Sequence, residues 1–221
     1  SPCANPITAC CDIGSSGVYT LGNNISSLDS CITVGIDNVS IDCLGRNITG
    51  GGYLSYGINN TGGFDNVTVK NCFITNYWEG IYFTNGAKLG KLINNTLYAN
   101  LDSGISIENS SQNLIAGNNA STNWFGILLV NGTNNTIENN SVYSSASVGI
   151  YLSMFSDSNT INNNSVIVNN ASGIYVDDSD FNIIIGNTAN STVVFYGIHI
   201  YNILNNTVVN NAANGNGRHG I

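Results

Sequence analysis

The sequence predicts an all-β solenoid of the parallel β-helix type, one domain of about eight to nine coils, and three observations predict it. Gly-Ile pairs recur at Gly57-Ile58, Gly80-Ile81, Gly104-Ile105, Gly126-Ile127, Gly149-Ile150, Gly173-Ile174, Gly197-Ile198 and Gly220-Ile221, spaced 22 to 24 residues apart. A second series, Asn71, Asn95, Asn118, Asn140, Asn164, Asn187 and Asn211, keeps the same period. Apolar residues alternate over short stretches, as in Gly149-Ile150-Tyr151-Leu152, which is strand rather than helix periodicity. Two registers with one period define a repeat architecture before local propensity is consulted.

A unit of about 23 residues with two or three short strands and Asn/Gly corners suits one coil whose strands pair with those of the next. Equivalent residues then stack at about 4.8 Å, and each series becomes a ladder. Ile ladders supply the core. Corner Asn is expected to bond the backbone that it turns and the Asn above and below. The glycine before each Ile is expected to admit a tight bend or a left-handed backbone angle. A leucine-rich repeat has a similar length, but its Leu lattice is absent.

Residues 1–37 read as an N-terminal capping segment and 38–221 as the repeats. All six cysteines, Cys3, Cys10, Cys11, Cys31, Cys43 and Cys72, fall in the first third of the chain. An even, clustered set suggests disulfides stapling that end in an oxidising compartment. Zinc is a weaker fit, because no C-x-x-C pair exists and His199 and His219 are remote in sequence. The first residue is Ser1, which fits a mature secreted chain and equally a trimmed one.

Composition narrows the partners. The net charge is −8, and Arg46, Lys70, Lys88, Lys91 and Arg218 are the only Lys and Arg residues, so phosphate-rich nucleic acid is excluded as a partner. No apolar run is long enough to span a membrane. The chain holds 40 Asn, 24 Ser and 16 Thr, so amides and hydroxyls replace charges as the solvating surface.

The phrases Asn-Asn-Thr-Ile-Glu-Asn-Asn (134–140), Asn-Thr-Ile-Asn-Asn-Asn-Ser (159–165) and Asn-Asn-Thr-Val-Val-Asn-Asn (205–211), each followed by Gly-Ile, resemble the right-handed parallel β-helix repeat family. The stretches beginning at Gly17, Cys31 and Asn38 look like the entry segment of the same proteins, where the first coil is capped. The resemblance covers nearly the whole chain and implies a single-domain right-handed parallel β-helix. The family includes carbohydrate-binding and sugar-hydrolase modules, NosD-type periplasmic proteins and archaeal and bacterial surface proteins. Its lyases and hydrolases place acids on neighbouring coils of one outward face.

Placed in register, the acids do not supply such a pair. Glu108 and Asp177 each lie four residues after their glycine, but Val130 and Ser153 occupy the coils between them. Paired-carboxylate glycoside chemistry needs a separation of roughly 5 to 9.5 Å, so no catalytic residue and no cofactor is assigned, and the expectation leans away from an enzyme. Asp177, Asp178 and Asp180 form the densest acidic group and are a weak candidate for a hard cation against a solvated turn. His199 is expected near Asp177 and Asp178, a minimal base-acid pair without a third group.

Aromatic residues align better. Two residues after each glycine come Tyr82, Ser106, Leu128, Tyr151, Tyr175 and His199, so Tyr151, Tyr175 and His199 are expected to stack on one outward face as a carbohydrate- or partner-binding site. Simple cross-strand stacking accounts for the same ladder. Trp78, Trp124, Phe125, Phe195 and Tyr196 are expected to extend a second patch.

Asn-x-Ser/Thr sequons begin at Asn24, Asn38, Asn47, Asn59, Asn66, Asn94, Asn109, Asn119, Asn131, Asn134, Asn139, Asn163, Asn170, Asn190 and Asn205. Random placement of the same residues gives about seven, so covalent N-glycans are expected, on about half of these sites once inward ladder positions are discounted. The last Gly-Ile pair falls at the chain's final two residues, which would leave a coil uncovered, so that either the native protein continues, the chain has been cut, or a neighbouring subunit covers the end by head-to-tail self-association. The leading expectation is therefore a secreted, glycosylated structural subunit of an extracellular filament, sheath or surface layer. The alternative is a carbohydrate-active module, binding or cleaving polysaccharide, or a surface adhesin.

Overall fold

The computed structural model describes residues 1–221 as an all-β solenoid of about nine turns, with 26 strands in three parallel sheets and no helix. The first coil comprises β1 (Cys11–Ile13), β2 (Gly17–Thr20) and β3 (Ile25–Ser27). Each strand pairs in parallel with its equivalent one coil later, so β1 joins Ile32–Val34, β2 joins Val39–Asp42 and β3 joins Asn47–Gly50. The resulting sheets hold nine, nine and eight strands. Pro2 and Ile7 already bridge in parallel to Asp12 and Leu21, and the first full-length strands begin at Cys11, so the segment 1–37 contains the first turn.

The period sets the core. Ile32, Ile58, Ile81, Ile105, Ile127, Ile150, Ile174 and Ile198 pair in one unbroken line through the first sheet. All eight are buried, within a single cluster of 40 buried apolar residues. Each glycine before these isoleucines serves close approach. None of the seven from Gly57 to Gly197 has a positive φ, so the left-handed conformation expected there is corrected. A Cβ on Gly149 would lie 2.6 Å from the Gly173 carbonyl oxygen and 2.3 Å from Val166 Cγ1. The carbonyl of the next coil's glycine presses likewise on Gly57, Gly80, Gly104, Gly126, Gly173 and Gly197.

Asparagine turns three corners rather than one. Between the second and third sheets, Asn118 Nδ2 donates to Asn140 Oδ1 at 3.0 Å and to the Leu92 carbonyl at 2.8 Å, and the Asn118 backbone N–H also donates to Asn140 Oδ1. Asn95, Asn140, Asn164 and Asn187 repeat this bonding. Asn71 does not belong to that line. It is a half-buried corner residue at φ 56°, and Cys72 holds the ladder position, its N–H donating to Asn95 Oδ1. Asn113, Asn135, Asn159, Asn182 and Asn206 form a second ladder. Asn100, Asn123, Asn169 and Asn216, interrupted by Ser145 and Thr192, form the third.

The cysteines pair as Cys3–Cys11, Cys10–Cys31 and Cys43–Cys72, leaving none free and stapling the N-terminal coils.

Candidate functional site

The outward face of the Gly-Ile sheet carries one continuous row, Asn59, Tyr82, Ser106, Leu128, Tyr151, Tyr175 and His199, each residue paired with the next across one coil. Five coil steps separate Tyr82 from His199, about 24 Å along the axis. The two ends of the row differ in chemistry.

At the C-terminal end the rings stack. Tyr151 and Tyr175 lie 5.0 Å apart at 5°, and Tyr175 and His199 4.6 Å apart at 9°. Phe125 tilts against Tyr151 at 5.6 Å and 36°, and Tyr196 against His199 at 4.4 Å and 31°. Together with Phe195 and Arg218 they line a cavity of about 440 Å³. The Arg218 guanidinium sits 4.9 Å over the Phe195 ring. Burial lowers the His199 pKa, against the opposing pull of Asp177, which favours the charged form; burial prevails and favours the neutral imidazole. Burial raises Tyr175 to about 12, aided by Asp177, which keeps it a phenol.

Of the second patch, Phe125, Phe195 and Tyr196 thus join this site. Trp78 pairs instead with Tyr53 at 5.4 Å, and Trp124 is exposed.

At the N-terminal end is a carboxylate cluster that register counting misses. Glu79 precedes its glycine by one residue, Asp102 by two, and Glu108 follows by four. Tyr82 Oη donates to Glu108 Oε2 at 2.8 Å, and Tyr56 stacks on Tyr82 at 4.8 Å. Glu79 is 4% exposed; its carboxyl faces the buried Ser106 hydroxyl, but neither Glu79 Oε2 nor Ser106 Oγ makes a hydrogen bond of good geometry. Burial, then the charges of Glu108 and Asp102, pushes the Glu79 carboxyl up to about 9. Burial raises Asp102 too, and Glu108 adds to that. Glu79 and Asp102 stand where their strands begin and Glu108 where its strand ends, so equal offsets from glycine do not relate them.

Asp178 and Asp180 accept hydrogen bonds from Asn202 Nδ2 and from the Leu204 backbone N–H, each on the following coil. Asp180 in turn donates its N–H to Asp157 Oδ1 at 2.7 Å. These acids therefore tie successive turns together.

The sequon asparagines lie outside the ladders. Thirteen are exposed, and Asn59 and Asn190 are half-buried. At one corner the two roles are adjacent: exposed Asn94, Asn139 and Asn163, all with positive φ, immediately precede buried Asn95, Asn140 and Asn164. The expected loss of half the sites to inward positions is corrected, because the acceptor residue is the outer member of each Asn-Asn pair.

The model of the family described as "Right handed beta helix region" matches residues 7–164 and 56–213. No curated protein matches the chain by sequence. Among solved structures, the periplasmic alginate epimerase AlgG is similar at a TM-score of 0.63 and 18% identity, over 83% of this chain and 48% of that one. Its D317A mutant aligns at 0.54 and 18%, over 83% and 60%. ORF18 of Geobacillus virus E2 aligns at 0.51 and 14%, over 91% and 51%. The chain thus spans about half the length of AlgG and of ORF18, and at these identities the likeness concerns the fold alone.

Proposed function

The chain belongs to the right-handed β-helix family, and from that premise we propose that it is a carbohydrate-active protein that holds a polysaccharide along the outer face of the Gly-Ile sheet. The observation that carries this reading is the flush stack of Tyr151, Tyr175 and His199 beside a cavity of about 440 Å³. Near-parallel rings at coil spacing stack face to face and turn their edges outward as a continuous apolar ridge along the cavity, against which the C–H groups of a sugar ring pack. A ladder serving only the sheet needs no cavity beside it. Three disulfides support a location outside the reducing cytoplasm, and the cell surface or extracellular space is the compartment proposed.

This reading is preferred to the end-to-end filament because it rests on a side-chain arrangement built into the fold. Calorimetry with neutral, amino and uronic oligosaccharides tests it. Binding to at least one of them that Tyr175→Ala weakens tenfold or more is the expected result. No binding to any, or binding indifferent to both Tyr151→Ala and Tyr175→Ala, refutes it.

A further inference from the structure

The carboxylate end of the row says which sugar the face takes. Three acids from two coils, Glu79, Asp102 and Glu108, influence one another, and no Lys or Arg offsets them. The only Lys or Arg ion pair of the molecule, Lys70 with Asp42, involves neither this row nor these acids. Glu79 Oε2 is buried without a well-formed hydrogen bond, an arrangement that costs free energy unless a ligand supplies a partner. Tyr82, stacked on Tyr56, donates its phenol proton to Glu108 and so leaves none for Glu79.

Resting on the polysaccharide reading above, we propose that Glu79, Asp102, Glu108 and the Tyr56–Tyr82 stack form a subsite for a primary ammonium, so that the polymer held by this face is an amino sugar polymer. An ammonium offers several donors to these oxygens and neutralises the cluster, whereas a uronate would add a further negative charge beside Asp102 and Glu108. The net charge of −8 acts in the same direction at long range. Cation binding next to a proton-bearing carboxyl expels the proton, so Glu79 ionises as the ligand seats.

The test is calorimetry at pH 6 with a glucosamine hexamer, its N-acetylated counterpart and a galacturonate hexamer. The glucosamine hexamer should bind at least tenfold tighter than the N-acetylated one, with the galacturonate weakest. Parallel titrations in buffers of different ionisation enthalpy should show a proton released, and Glu79→Gln should abolish that release. Glu108→Gln with Asp102→Asn should erase the amino preference while leaving N-acetyl binding intact, which also reports that the variant is folded. Equal binding of the two hexamers, or a preference that survives Glu79→Gln, Asp102→Asn and Glu108→Gln together, overturns the subsite and leaves the polysaccharide face standing. Failure of all three sugars to bind overturns the face itself.

Discussion

Tyr82 donates its phenol to Glu108 Oε2 at 2.8 Å from one coil to the next, and so holds a carboxylate beside the buried carboxyl of Glu79. The bond satisfies one acid and burdens its neighbour. Glu79 keeps its proton in the folded chain up to about pH 9, against 4.5 as its ordinary value.

That difference has a sign. A carboxyl with a raised folded pKa binds its proton more tightly in the native state, so its contribution is fully present below the unfolded value. The contribution is lost as pH rises through the window from about 4.5 to about 9. Within it, Glu79 alone contributes a decline of up to about 1.4 kcal/mol per pH unit. Glu79→Gln cannot ionise and should flatten that decline. Urea denaturation from pH 5 to pH 9 measures it, and an unchanged slope refutes the assignment.

Asn140 shows what the corner ladder is worth. Its Oδ1 accepts from the N–H and Nδ2 of Asn118, and its Nδ2 donates to the Ile115 carbonyl. Asn140→Ala strands the Asn118 N–H and the Ile115 carbonyl in the core, at about 1–3 kcal/mol each. A loss of about 3 kcal/mol is expected from thermal or urea unfolding. The exposed neighbour Asn139, at φ 54°, makes no side-chain hydrogen bond, so Asn139→Gly should stay within about 0.5 kcal/mol.

The same corner explains what the sequence disclosed. Gly-Ile pairs mark one inward line on one sheet, so their period fixed the coil count and the outward row from Tyr82 to His199. The Asn series carried a one-residue ambiguity, because Asn-Asn pairs put an outer and an inner residue side by side and Cys72 takes the inner place after Asn71. The other two ladders were harder to see, since Ser145 and Thr192 interrupt one of them and coil lengths vary around them. Glu79, Asp102 and Glu108 were illegible for another reason. They stand at opposite ends of their strands and act on one another through a buried, low-dielectric interior, which a linear offset from glycine does not encode.

Gly149 tests the close-approach role directly. A methyl there meets Val166 Cγ1 at 2.3 Å and the Gly173 carbonyl oxygen at 2.6 Å, and the backbone partner cannot move without shifting a whole coil. Gly149→Ala should therefore cost about 1–3 kcal/mol as overpacking. Gly14→Ala, where an added Cβ meets nothing within 4 Å, should change stability by less than about 0.5 kcal/mol. Similar losses at both positions would show that backbone freedom, rather than contact, selects glycine before Ile.

His199 gives the aromatic end its own pH signature. Burial lowers its pKa, Asp177 opposes, and the ring lies 4.6 Å from Tyr175 and 4.4 Å from Tyr196. As pH falls, the unfolded chain takes up this proton first, near the ordinary value of about 6.5. Stability contributed by the neutral ring is therefore present above that value and is lost as pH drops through the lower folded pKa. An NMR titration should place the His199 midpoint below about 6.5, and His199→Phe should remove that step from the acid limb of the stability profile. A midpoint above that value would mean that the Asp177 charge outweighs burial, making His199 a cation at the end of the ladder and not a third ring in it.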